Sequence, residues 1–146
     1  MAGFRVYKSI VDLPCEKLPS TTLTASKGDL LELVPGEASV WTACTAASYP
    51  WSKKAIVMED VVSVSSVLAT VLTGDELVAA ESAGPSAVAD NGNLMLLTDT
   101  NTVNNTGTTT SAEEACFLQT GTLGATTDKV ILGYVLVGNS VDPTAT

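Results

Sequence analysis

One short pattern occurs twice in this sequence, and it restricts what the chain can fold into. Ser26-Lys27-Gly28-Asp29-Leu30-Leu31-Glu32-Leu33 is echoed by Asp90-Asn91-Gly92-Asn93-Leu94-Met95-Leu96-Leu97: polar turn, glycine, small polar residue, apolar run. Glycine reaches positive φ at little steric cost and Asn or Asp tolerates it, so both glycines mark turns. The apolar runs are short and bounded by turns, which suits strands better than helices. Each leads through a variable loop to another short run, Lys54-Ala55-Ile56-Val57-Met58-Glu59-Asp60 or Lys129-Val130-Ile131-Leu132-Gly133-Tyr134-Val135-Leu136. Two related β units, residues 22–80 and 86–138, are therefore expected, the second with the longer loop. Accidental similarity in a Val/Leu-rich chain, leaving a single barrel, is the alternative.

Further elements follow the same punctuation. Residues 1–21 read as an extended arm: Phe4 and Val6 alternate with Arg5 and Tyr7, and Pro14 and Pro19 forbid a continuous helix. A first edge strand of the same domain is the competing reading. Residues 22–33 look like a hairpin, 38–43 and 55–58 like short strands, and 67–72 like a strand preceded by a Ser-rich loop at 63–66. Thr73-Gly74-Asp75-Glu76 has the capping-box spacing that can open a short helix over 77–83, a reading weakened by Gly74. A second such spacing, Ser111-Ala112-Glu113-Glu114, can open a helical turn before Cys116. Gly84-Pro85-Ser86 reads as a linker between the halves. Residues 98–111, almost wholly Thr, Asn, Asp and Gly, read as a long mobile polar loop that builds no core. Residues 139–146 are a polar tail.

Composition narrows the function classes. At 146 residues one domain is the default, and such a chain buries about two-thirds of its unfolded surface without disulfide or metal staples. Charged residues are only 16%, below the usual quarter, so part of the surface is expected to face protein rather than water. A net charge of −9 disfavours nucleic acid, whose phosphates it repels. The charge is uneven: residues 1–27 sum to +2 and the remainder to −11. Cys15, Cys44 and Cys116 are odd in number and far apart, which fits reduced, partly buried thiols better than a disulfide framework or a zinc site. No leader-like apolar stretch follows Arg5 and Lys8, and no run approaches the ~18 residues of a membrane span, so cytoplasmic synthesis and no membrane partner are expected.

Candidate chemistry is sparse. The chain has no histidine, which removes Ser-His-Asp and Cys-His catalysis and the usual transition-metal ligand. Asp99-Thr100-Asn101 opens like an EF-hand loop, but Val103 stands where an oxygen ligand belongs. The adjacent carboxylates Glu59-Asp60, Asp75-Glu76 and Glu113-Glu114 do not face one another across a cleft by virtue of adjacency. No enzyme activity, cofactor or metal is expected. Trp41, Tyr49 and Trp51 hold three of the few aromatics and would cap a core or an interface, or form a binding platform.

The order of these signals resembles the head-decoration (cement, auxiliary capsid) proteins of tailed bacteriophages. The similarity runs over residues 22–80 and more loosely 90–138. It comprises Lys27-Gly28-Asp29-Leu30-Leu31, then Gly36-Glu37-Ala38-Ser39-Val40, then Ala55-Ile56-Val57-Met58-Glu59-Asp60-Val61, then a Val-rich run from Val67 to Gly74. Lys53-Lys54 departs from it, since glycine more often precedes the acidic-ended strand, and so does the long Thr/Asn loop. The resemblance implies an all-β, small barrel or β-tulip-like body with an extended N-terminal arm and at most short helices. It implies a virion protein on the capsid outer surface, a homotrimer that clamps subunits of the major capsid protein. Expected interface residues on the arm are Phe4, Arg5, Val6, Tyr7, Lys8, Ile10 and Leu13, docking on a partner rather than in their own core. On the body they are Trp41, Trp51 and Val57. The competing readings are an adhesin- or tail-like recognition module using residues 98–111, and a hydrolase.

Overall fold

The computed structural model describes residues 3–9, 13–33, 40–45, 50–106 and 115–138. Within them the chain forms eleven strands: β1 (Phe4–Lys8), β2 (Glu16–Ala25), β3 (Leu30–Leu33), β4 (Thr42–Ala43), β5 (Lys53–Val57), β6 (Val61–Val71), β7 (Leu77–Ser82), β8 (Leu94–Asp99), β9 (Thr102–Asn104), β10 (Phe117–Thr122) and β11 (Val130–Val135). Among the described residues helix is limited to two single 3-10 turns, Val88–Asp90 and Thr126–Asp128. The protein is all-β, with closed and nearly closed barrel-like sheets.

The two sheets repeat one connectivity. The first runs β2-β6-β5-β3-β4 and the second β7-β11-β10-β8-β9, with β1 added beside β7. Counted from its own first strand, each has the order 1-5-4-2-3. Register agrees too: Leu31 pairs with Ala55, which pairs with Val71, and Met95 pairs with Phe117, which pairs with Val135. The echoed turns occupy the same corner. Gly28 N–H donates to Val57 O at 2.9 Å while Val57 N–H donates to Asp29 O at 2.9 Å. Gly92 N–H donates to Gln119 O at 2.8 Å while Gln119 N–H donates to Asn93 O at 3.2 Å. Both glycines have positive φ, 99° and 92°. The ends of each sheet approach one another at the same place as well, closing the second and nearly closing the first. A parallel pairing of β7 with β9 closes the second sheet, and Trp41 N–H donating to Pro19 O at 2.8 Å draws the first together.

Several expectations shift. The repeated sets of strands run 16–71 and 77–135, so the junction lies in the turn between β6 and β7, not at Gly84-Pro85-Ser86. The counterpart of β5 is β10; the Val130 strand corresponds to β6. No hairpin forms over 22–33, because β2 pairs with β6 and β3 with β5 and β4. Residues 63–66 lie inside β6. Glu76 makes the capping-box bonds, accepting from Thr73 N–H at 2.9 Å and Gly74 N–H at 3.0 Å, yet strand β7 follows rather than a helix. The Thr/Asn run is structured over residues 98–106. Val103, fully buried, is its one apolar residue and anchors β9 in the ring. The helical turn expected at 111–114 and the tail at 139–146 lie outside the described residues.

Alternation explains the continuous apolar runs. Leu31, Ala55 and Val57 point into the first sheet's own core with Leu18, Val67 and Trp41. Leu30 and Ile56, on the opposite face, join Phe117, Met95, Ile131 and Val135 of the second sheet. Strands β3 and β5 are thus buried on both faces, which removes any need for a polar side.

The N-terminal segment is extended but folds onto its own chain. β1 pairs antiparallel with β7, and Phe4 is 2% exposed in the shared core, its ring centroid 6.3 Å from that of Phe117. Docking of the whole arm on a partner is therefore corrected: Phe4 removes its apolar surface from water within its own chain, and that gain favours the cis arrangement. β2 begins at Glu16, inside the stretch expected to be a free arm.

Candidate interaction surface

The expected interface residues divide sharply by exposure. Trp41 and Val57 are core residues of the first sheet, 6% and 0% exposed, so neither offers area to a partner. Trp51 is half-buried, and Tyr49 and Ile10 lie outside the described residues. On β1, alternation turns Phe4 inward and leaves Arg5, Tyr7 and Lys8 exposed, with the Arg5 guanidinium 5.9 Å from the Tyr7 ring centroid. Val6 and Leu13 are half-buried along a cavity of about 570 Å³ between β1 and the first sheet. The structure thus gathers Phe4, Arg5, Val6, Leu13 and the buried Val57 with Lys27 around one cavity, while Trp41 belongs to the first sheet's own core.

Over its described residues, 98–106, the Thr/Asn segment bonds backbone groups elsewhere in the chain as well as its own. Asn105 Nδ2 donates to Gly84 O at 3.1 Å and Pro85 O at 3.0 Å, and its Oδ1 accepts Gly84 N–H at 2.7 Å. Asp99 Oδ1 accepts Asn101 N–H at 3.0 Å, a local Asx-type turn. Asn101 Nδ2 reaches Asp29 Oδ1 at 3.3 Å and Thr100 O accepts Leu30 N–H at 2.8 Å, so the segment also joins the two sheets.

One titratable group lies deep in the interior. Lys54 is fully buried at the seam between the sheets. Its ammonium donates to Ser52 Oγ at 2.8 Å, Ser52 O at 3.3 Å and Leu136 O at 3.0 Å, which uses its three donors. Burial lowers its pKa from the ordinary lysine value, against the opposing pull of Cys44, Cys116 and Glu32. Glu32 is its cross-strand neighbour, 6% exposed. The Cys116 thiol is pushed up to about 11 by burial, with the Lys54 charge acting the other way. A thiol so shielded is a poor nucleophile. Cys15 is exposed, its sulfur 3.5 Å from Thr70 Oγ1. Among the described residues no group of three or more Cys, Asp or Glu is placed to hold a metal.

Sequence reasoning noted Lys54 only as a departure from a pattern. The signal was available in alternation: Lys54 shares a face with Ile56, and Glu32 shares one with Leu30, on paired strands. No protein-family model matches the sequence, and no curated protein matches it either.

Proposed function

We propose that this protein is a structural virion component that decorates a bacteriophage capsid from outside, as a homotrimer whose copies clamp neighbouring subunits of the major capsid protein. The construction of the body is the observation that carries this reading. Two barrel-like sheets share one core, and the Lys54 ammonium and the Leu136 carbonyl tie them across the seam. A body joined in this way resists deformation, which is what a clamp against internal genome pressure requires. The buried Lys54 ammonium is engaged between the sheets. The order of turn and strand signals over residues 22–80 resembles head-decoration proteins and supplies the partner and the trimer. The acidic body fits a protein partner better than nucleic acid.

Light scattering of the purified protein, alone and mixed with undecorated phage capsids, tests this. The expected result is the mass of three copies alone and saturable co-sedimentation with capsids. A monomer that leaves capsids unchanged overturns it.

A further inference from the structure

We infer that an ordered internal water is built into the second sheet, donating a hydrogen bond to Gln119 Oε1 and bridging it to Ser86 Oγ. The interior of that sheet turns polar along two strands. On β10, Gln119 follows Phe117 on the inward face, and on β7, Ser82 follows Val78 and Ala80. The chain leaving β7 runs from one to the other. Ser82 Oγ donates to Gly84 O at 2.7 Å, and Gln119 Nε2 donates to Ala87 O at 2.8 Å. Ser86, between these two contacts, is 2% exposed and donates its N–H to Thr126 O at 3.1 Å, while Gln119 is fully buried. The counterpart in the first sheet is apolar. Gln119 holds the register position of Val57, whose N–H and C=O bond the corresponding turn.

Two oxygens here are buried without a hydrogen-bond partner among the described residues, Gln119 Oε1 and Ser86 Oγ. The Gln119 amide has one orientation. Its Nε2 uses both hydrogens, on Ala87 O and on Asn91 Oδ1 at 3.0 Å, and turning the amide over would set oxygen against two acceptors. Oε1 is therefore a pure acceptor, and whatever meets it must donate. An amide oxygen taken out of water without a donor is costly, and native proteins meet such groups with internal water. A water can donate to Gln119 Oε1 and either donate to Ser86 Oγ or accept from it, so one molecule satisfies both. The two side chains are also held in one neighbourhood, because the Ala87 carbonyl that binds Gln119 belongs to the residue after Ser86. This inference rests on the interior of the body and stands apart from the capsid reading.

A crystal structure of the full chain, at a resolution that places waters, tests this. One ordered water is expected within about 3.2 Å of both Gln119 Oε1 and Ser86 Oγ. In Ser86→Ala that water should be lost while Gln119 keeps its bonds to Ala87 and Asn91. Gln119→Val, which installs the residue of the first sheet, should remove the water as well. In solution, water-selective NMR of the parent should show cross-peaks from a long-lived water to the Cβ hydrogens of Ser86 and the Cγ hydrogens of Gln119. The Gln119 cross-peak should vanish in Ser86→Ala. No water at this place, a water bonded to one of the two oxygens alone, a water that stays in Ser86→Ala, or a protein donor on Gln119 Oε1 would each overturn the proposal.

Discussion

The Lys54 ammonium donates to the Leu136 carbonyl at 3.0 Å, so a charge buried on β5 holds the strand end that follows β11. Replacing Lys54 with Ala removes this link and leaves Leu136 O and Ser52 Oγ without their donor. A loss of about 2–4 kcal/mol in urea unfolding is expected. Lys54→Met, which keeps the volume, should lose less.

The seam also sets the alkaline pH dependence. The Lys54 pKa is lowered in the folded state, so the unfolded chain binds more protons between that value and 10.5, and this contribution makes stability rise with pH. Cys116 is raised from 9.0 to about 11, so its contribution is full below pH 9 and is lost as pH climbs toward 11. The two oppose each other. Unfolding midpoints measured across this window should fall more steeply in Lys54→Met than in the parent, and less steeply in Cys116→Ala.

Thiol accessibility follows from the same burial. Cys15 is exposed, whereas Cys44 and Cys116 are fully buried. A thiol reagent at neutral pH should modify Cys15 rapidly and reach the other two only after unfolding. Rapid labelling of all three in the native state would contradict the sealed seam.

β1 behaves as a core strand. Phe4→Ala should destabilise by about 3–5 kcal/mol, the usual range for a buried aromatic, and deletion of residues 1–9 should lower the thermal midpoint. Arg5→Ala, on the exposed face, should leave the midpoint nearly unchanged. An unaltered midpoint for Phe4→Ala would restore the free-arm reading.

Backbone conformation separates two further sites. Thr22 and Ser63, on the paired strands β2 and β6, have φ of 46° and 50°, a region that a β-branched side chain rarely enters. Thr22→Gly should therefore stabilise by about 0.5–1 kcal/mol, where glycine in a strand normally destabilises. Gly133 corresponds in register to Ala69 of the first sheet, yet a Cβ there would collide with Leu118 O and meet the Phe117 ring at 2.7 Å. Gly133→Ala should cost about 1–3 kcal/mol by overpacking, while Ala69→Gly should cost less.

What the sequence determined by itself was local. The turns at Gly28 and Gly92 need only a residue that reaches positive φ, and the short apolar runs that follow them read as strands, so the all-β class and the repeated corner were legible. What only the tertiary structure decided was partnership. Periodicity reports how many faces a strand buries, not against what, so nothing local told β2 to pair with β6 rather than β3, or Phe4 to enter its own core beside Phe117. Val103 looked like an exception in a polar run until β7 supplied its neighbour. Lys54 stood out only as a departure from a strand pattern until the second sheet covered it and offered Leu136 O, because the effect of burial on a charge depends on residues distant in sequence.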